Sequence, residues 1–102
     1  MIGLAEKVQA FTAGMDQSAF LANALVYDAT LRNLELIGEA ATHVPGHIRT
    51  AHPEVPWRMM IATRNRLIHA YLGIDNDTLW SVVATDVPAL LPMLRSVRLR
   101  SS

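Results

Sequence analysis

Arg64, Asn65, His69 and Tyr71 fall within eight residues of one another, and together they can grip an anion, orient a polar group and move a proton. At about 100° per residue the four positions share one arc of a helix. An imidazole that exchanges protons near neutral pH, a permanently charged guanidinium and an amide within reach are what cleavage of an RNA phosphodiester needs. Arg64 is conspicuous for a second reason. It interrupts the apolar stripe Trp57, Met60, Ile61, Ile68 and Tyr71, and a guanidinium in a core-facing row is costly unless it is paired or opens onto a cleft. Each residue also has a purely structural reading: Arg64 reaching a carboxylate such as Glu35 or Glu39, Asn65 as plain surface, His69 favoured near a helix C-terminus, and Tyr71 burying its ring.

Glu39, His43, His47 and His52 form a second set, with metal-ligating side chains at short spacings. Pro45-Gly46 breaks the helix that would align them and the chain has no cysteine, so the expectation is ordinary surface or cap histidines, no metal and no cofactor. Nine basic residues balance nine acidic ones, which excludes a global field drawing the protein onto nucleic acid. The distribution is uneven. Residues 1–48 carry Lys7 and Arg32 against five carboxylates, whereas residues 49–74 carry Arg49, Arg58, Arg64 and Arg66 against Glu54 alone, so an anion site belongs in the middle of the chain. Arg95, Arg98 and Arg100 read as a solvated last turn.

Four amphipathic stretches must position these residues. The first covers about Ile2 to Thr12, with Leu4, Val8, Phe11 and Met15 on one stripe and Gly14 as its stop. Asp16 or Ser18 caps a second, continuous to about Thr42, with the heptad seam Phe20, Ala24, Tyr27, Leu31, Leu34, Gly38 and Ala41 and a second apolar row along Ala22, Val26, Ala29, Ile37 and Ala40. Two rows imply two packing partners, the domain's own core and a second copy of the chain. From His47 to Val55 a connector is expected, holding at most a short helical turn. Pro56 then opens a third helix that runs to about Tyr71 and stops at Gly73. Asp75 or Asp77 caps the fourth, with Leu79, Val83, Val87, Leu90, Leu94 and Val97 inside and an interruption at Pro88. The expected fold is all-α, an antiparallel up-down four-helix bundle in one domain over residues 1–102. At 51% apolar and 18% charged the chain should fold, and no apolar run approaches the roughly 18 residues of a spanning helix. The opening M-I-G-L-A-E-K lacks a signal-peptide layout, so a cytoplasmic location is expected.

The run R-N-R-L-I-H-A-Y, Arg64 to Tyr71, resembles the R-x-x-x-x-H-x-Y signature of HEPN domains in the form used by HepT-like toxins. N-L-E-L-I-G-E-A-A at Asn33 to Ala41, P-E-V-P-W at Pro53 to Trp57, D-N-D-T-L-W at Asp75 to Trp80 and D-V-P-A-L at Asp86 to Leu90 are similar to the same family in the same order, over nearly the whole chain. The departure is at the amino end, where the first helix is short. The resemblance implies a HEPN-like helical bundle that forms a homodimer or higher oligomer, each motif facing a shared cleft, and metal-independent endoribonuclease activity on RNA. It carries the catalytic roles to Arg64 and His69, with Asn65 as a polar helper. It also implies a toxin–antitoxin pair, in which a MntA-like nucleotidyltransferase antitoxin attaches AMP to Tyr71. The alternative is a non-catalytic helical dimer that binds a nucleotidyltransferase or a nucleotide, since a fold and its motif can outlive activity.

Overall fold

The computed structural model describes residues 1–68 and 75–101, without the side chains of residues 99–101. All regular structure among the described residues is helical: α1 (Ile2–Thr12), α2 (Gln17–Ala22), α3 (Ala24–Thr42), α4 (Gly46–Ala51), α5 (Trp57–Ile68), α6 (Asn76–Ser81), a π-helical turn (Val82–Asp86) and α7 (Val87–Ser101). No helix among them is long and apolar enough to cross a membrane.

Helix α1 ends where expected, and Gly14 takes the positive φ of +76° that turns the chain toward α2. Asp16 caps α2 by accepting the Ala19 amide at 2.8 Å. The continuous second helix is corrected. At Asn23 the backbone is extended (φ −102°, ψ 94°), and the Asn23 carboxamide oxygen accepts the Val26 amide at 3.0 Å, starting α3 as a new helix. A short polar side chain that can satisfy the first amides of a helix competes with continuing the previous one. The seam therefore loses Ala24, which is exposed beside an 80% exposed Leu25, and becomes a buried row from Leu34 through Gly38 to Ala41.

The connector holds a six-residue helix, α4, more than a single turn. Its Arg49 folds back onto the end of α3, donating from Nη2 to the carbonyls of Ala41 (2.9 Å) and Thr42 (3.1 Å) and from Nε to that of Val44 (3.2 Å). These are the carbonyls a helix end leaves without partners, so a residue from the expected anion segment serves as a helix cap. Trp57, at the start of α5, is buried and its indole donates to the His52 carbonyl at 3.0 Å, while Pro56 supplies the first carbonyl of the helix to Met60. The inward row of α5 is Trp57, Met60, Arg64 and Leu67, and Ile68, expected inside, is 49% exposed. The three-four-three spacing of the first set puts Leu67 rather than Ile68 over the core. The expected end of this helix at Tyr71 and Gly73 lies outside the described residues.

Asp75 caps α6, accepting the Thr78 amide at 2.9 Å and its hydroxyl at 2.8 Å. The interruption expected at Pro88 falls just before it. In the π-helical turn the Val87 amide bonds the Val82 carbonyl, five residues back. Pro88 has no amide hydrogen to continue the ladder, and its ring would crowd the carbonyl one α-turn earlier, so the extra residue in that turn relieves both problems. Leu79, Val83, Val87, Leu90, Leu91 and Leu94 from this rod join Leu34 and Ile37 of α3, Met60 and Leu67 of α5, Phe20 of α2 and Ala5 and Val8 of α1 in one buried core. Helix α3 is the hub, packing on α1, α2 and most extensively on α5.

Candidate active site on the seam between α3 and α5

The site begins with an absence of side chain. Gly38 faces α5 so closely that a Cβ there would overlap the Arg64 Cβ and lie 2.8 Å from the Met60 carbonyl oxygen. Glycine lets the two helices meet at Arg64, and the long side chain then leaves the core along the seam rather than ending in it. Its Nε is buried and has no hydrogen-bond partner among the described residues, while the guanidinium end reaches the surface.

Two acceptors hold that end. Arg64 Nη2 lies 2.8 Å from Oε2 of Glu39 on α3, and Nη1 donates to Oδ1 of Asn65 at 3.0 Å. The second oxygen of Glu39 is 3.2 Å from Nε2 of His43, one turn further on at the C-cap of α3. A guanidinium carries five N–H donors. Among the described residues, one on Nη1 and one on Nη2 have these acceptors, which leaves a second N–H on each terminal nitrogen for two oxygens of a tetrahedral anion. Arg58 and Arg66, both exposed on α5, add positive charge to the same helix.

Of the four residues singled out by spacing, the structure brings Arg64 and Asn65 together, and His69 and Tyr71 lie outside the described residues. The Arg64 carboxylate partner is Glu39; Glu35 pairs instead with Arg32 at 3.5 Å. Among the described residues His43 joins the cluster through Glu39, a link that sequence reasoning missed because it read His43 as a surface or cap histidine and Glu39 separately as a carboxylate within reach of Arg64. The i, i+4 spacing of the two on an exposed helical face was the available signal. His52 is drawn away from that set, buried beside Glu54 with Nδ1 3.5 Å from its carboxylate. Among the described residues no three His, Asp or Glu side chains are grouped to hold a metal ion.

Comparison with known proteins bears on this geometry. The profile of the family described as "Ribonuclease HepT-like" matches residues 1–97. A protein named "Probable ribonuclease HepT" from Thermococcus cleftensis is 39% identical over 93 residues, covering 91% of this chain and 84% of its own. "Putative RNase MJ1380" from Methanocaldococcus jannaschii is 42% identical over 86 residues, covering 84% and 79%. "Putative RNase MJ0125" from the same organism is 36% identical over 80 residues, covering 78% and 69%. No solved structure matches the chain. With a match from the first residue to Val97 in α7, the chain belongs to the HepT-like ribonuclease family.

Proposed function

We propose that this protein is a metal-independent endoribonuclease, the toxin of a toxin–antitoxin pair, in which Arg64 and His69 form the catalytic pair and Asn65 assists. The observation that carries the reading is the posture of Arg64: planted in a core-facing row, steadied by Glu39 and Asn65, with a donor on each terminal nitrogen left over among the described residues. Cleavage proceeds by attack of the ribose 2′-oxygen on phosphorus. A base takes the 2′-hydroxyl proton, the new O–P bond forms, the bond to the 5′-oxygen breaks, and that oxygen receives a proton from an acid. His69 supplies proton transfer, Arg64 binds the non-bridging oxygens and the charge that builds on them, and Asn65 steadies the fork through its carboxamide oxygen.

The active form is a symmetric dimer built on α3 and α5. Its support is the exposed apolar surface on those helices, with Leu25 at 80%, Ile68 at 49% and Met59 at 37% exposure, together with the need of an open polar cluster for a second wall. A light-scattering mass of one chain at micromolar concentration would count against it. The domain folds as one four-helix bundle, α1, α2–α3, α5 and α6–α7 each contributing to the common core, and acts in the cytoplasm on RNA. Its partner is a nucleotidyltransferase antitoxin that transfers AMP from a nucleoside triphosphate to the Tyr71 hydroxyl, releasing pyrophosphate. The added phosphate pairs with Arg64 and the nucleoside fills the space of the RNA.

The test is cleavage of RNA by the wild type, by His69→Ala and by Arg64→Ala. Loss in both variants with retained folding is the expected result. Binding of nucleotide by a wild type that cleaves nothing would favour the non-catalytic binding module. Co-expression with the adjacent nucleotidyltransferase gene should raise the intact mass by AMP units that map to Tyr71 and are absent from Tyr71→Phe.

A further inference from the structure

We infer that Glu39 is a positioning residue of the active site, fixing the rotation of the Arg64 guanidinium so that its unpaired edge meets the phosphate; the inference rests on the reading of Arg64 as the phosphate-binding group. The Nε of Arg64 is buried and has no hydrogen-bond partner among the described residues. A guanidinium is a planar fork of five donors, and among the described residues the Nε donor on its inner edge has no acceptor. Its orientation therefore depends on the two terminal bonds, to Asn65 Oδ1 at 3.0 Å and to Glu39 Oε2 at 2.8 Å. Asn65 is the neighbouring residue on the same helix, so it moves with Arg64 and cannot set its direction relative to the rest of the protein. Glu39 stands on a different helix, and among the described residues it alone ties the fork to α3.

Glu39 is itself held. Its other oxygen faces His43 Nε2 at 3.2 Å, and the contact at Gly38 keeps α3 and α5 at fixed separation one residue away. Its side chain is 47% exposed, so the pair contributes little to stability and its removal should leave the fold intact. A carboxylate next to a phosphate site also repels RNA. Orientation and repulsion thus act on different kinetic constants. Glu39 raises kcat through alignment and raises KM through its charge.

The experiment compares Glu39→Ala and Glu39→Gln with the wild type on a fluorogenic mixed-sequence RNA oligonucleotide, with Arg64→Ala beside them. In Glu39→Ala kcat should fall by about tenfold to a hundredfold, the scale of a misaligned catalytic group, while KM stays level or falls. Glu39→Gln keeps an acceptor oxygen and loses the charge, so it should recover much of kcat while its KM remains no higher than that of the wild type. Nitrogen-15 spectra report alignment independently of turnover: the two Nη resonances of Arg64 should be distinct in the wild type and averaged by rotation in Glu39→Ala. Arg64→Ala separates the two levels of the claim. If it cleaves like the wild type, the reading of Arg64 fails. If it is inactive while Glu39→Ala keeps wild-type kcat and distinct Nη signals, Arg64 stands and Glu39 is only a surface ion pair.

Discussion

Gly38 and Arg64 occupy one point of the seam: the hydrogen of the glycine faces the Cβ of the arginine, and the space between them admits no further carbon. Gly38→Ala must push α5 outward, because one of the obstacles is the Met60 backbone carbonyl and cannot rotate away. The expected cost is about 3 kcal/mol by overpacking, measurable as a lower urea midpoint. Activity per folded molecule should fall too, since the same displacement carries Arg64 away from Glu39.

Two arginines of the basic segment should respond oppositely to truncation. Arg49→Ala removes three bonds to the end of α3 and should cost about 2 kcal/mol, with turnover per folded molecule near that of the wild type. Arg64→Ala should leave the melting temperature little changed and reduce cleavage on the order of a hundredfold or more. Arg64→Lys should be almost as damaging, because an ammonium keeps the charge and loses the planar fork. Full activity in the lysine variant would mean that charge alone suffices.

Cleavage should persist in excess EDTA. The proposed proton transfers and charge stabilisation belong to an imidazole and a guanidinium, which chelation does not touch. A parallel reaction with added Mg²⁺ checks that any change reflects RNA structure. Complete loss on chelation, restored by a divalent ion, would sink the proposed mechanism.

Asp75 makes one contribution to stability depend on acid. Bonds from the Thr78 amide, and then from its hydroxyl, hold its carboxyl below the ordinary value of 3.8. A carboxyl whose pKa is lower in the folded state stabilises fully above the unfolded value, and that contribution is lost as pH falls through the folded one. The melting-temperature difference between wild type and Asp75→Asn should therefore be constant above about pH 5 and shrink below the unfolded value of 3.8. Asparagine keeps the cap acceptor and has no charge to lose, so the neutral-pH difference should be a few degrees at most. A difference that grew on acidification would refute the assignment.

The helices were legible where one physical signal dominated. The periodic stripe and Gly14 placed α1, short polar caps placed Asp16 and Asp75, and Pro45-Gly46 marked the break between α3, ending at Thr42, and α4, which Gly46 begins. Asn23 was hidden because it sits inside a heptad pattern, and whether such a side chain caps or rides along depends on packing that periodicity does not describe. Ile68 was misplaced for a related reason: Leu67 and Ile68 are both apolar, and only the position of Trp57 against the core decides which one faces inward. In the site, Arg64 announced itself as a charge in an apolar row, and Glu39 was one of two carboxylates within reach. That Glu39 joins Arg64 to His43 required the separation of α3 and α5 at Gly38, a distance between segments far apart in the chain. His69 and Tyr71 rest on the motif alone.

The wide turn at Val82–Asp86 means that the last rod contains one residue more than an unbroken α-helix of equal length. Deleting exposed Ala84 or Thr85 would do more than shorten a surface turn. It would restore the tight ladder under Pro88 and drive the ring against a carbonyl, so the rod would kink there and pull Leu79 out of line with Val87 and Leu91. Replacing either side chain at constant length would disturb none of this. At Ala84 and Thr85, heritable information resides in the number of residues rather than in their identity.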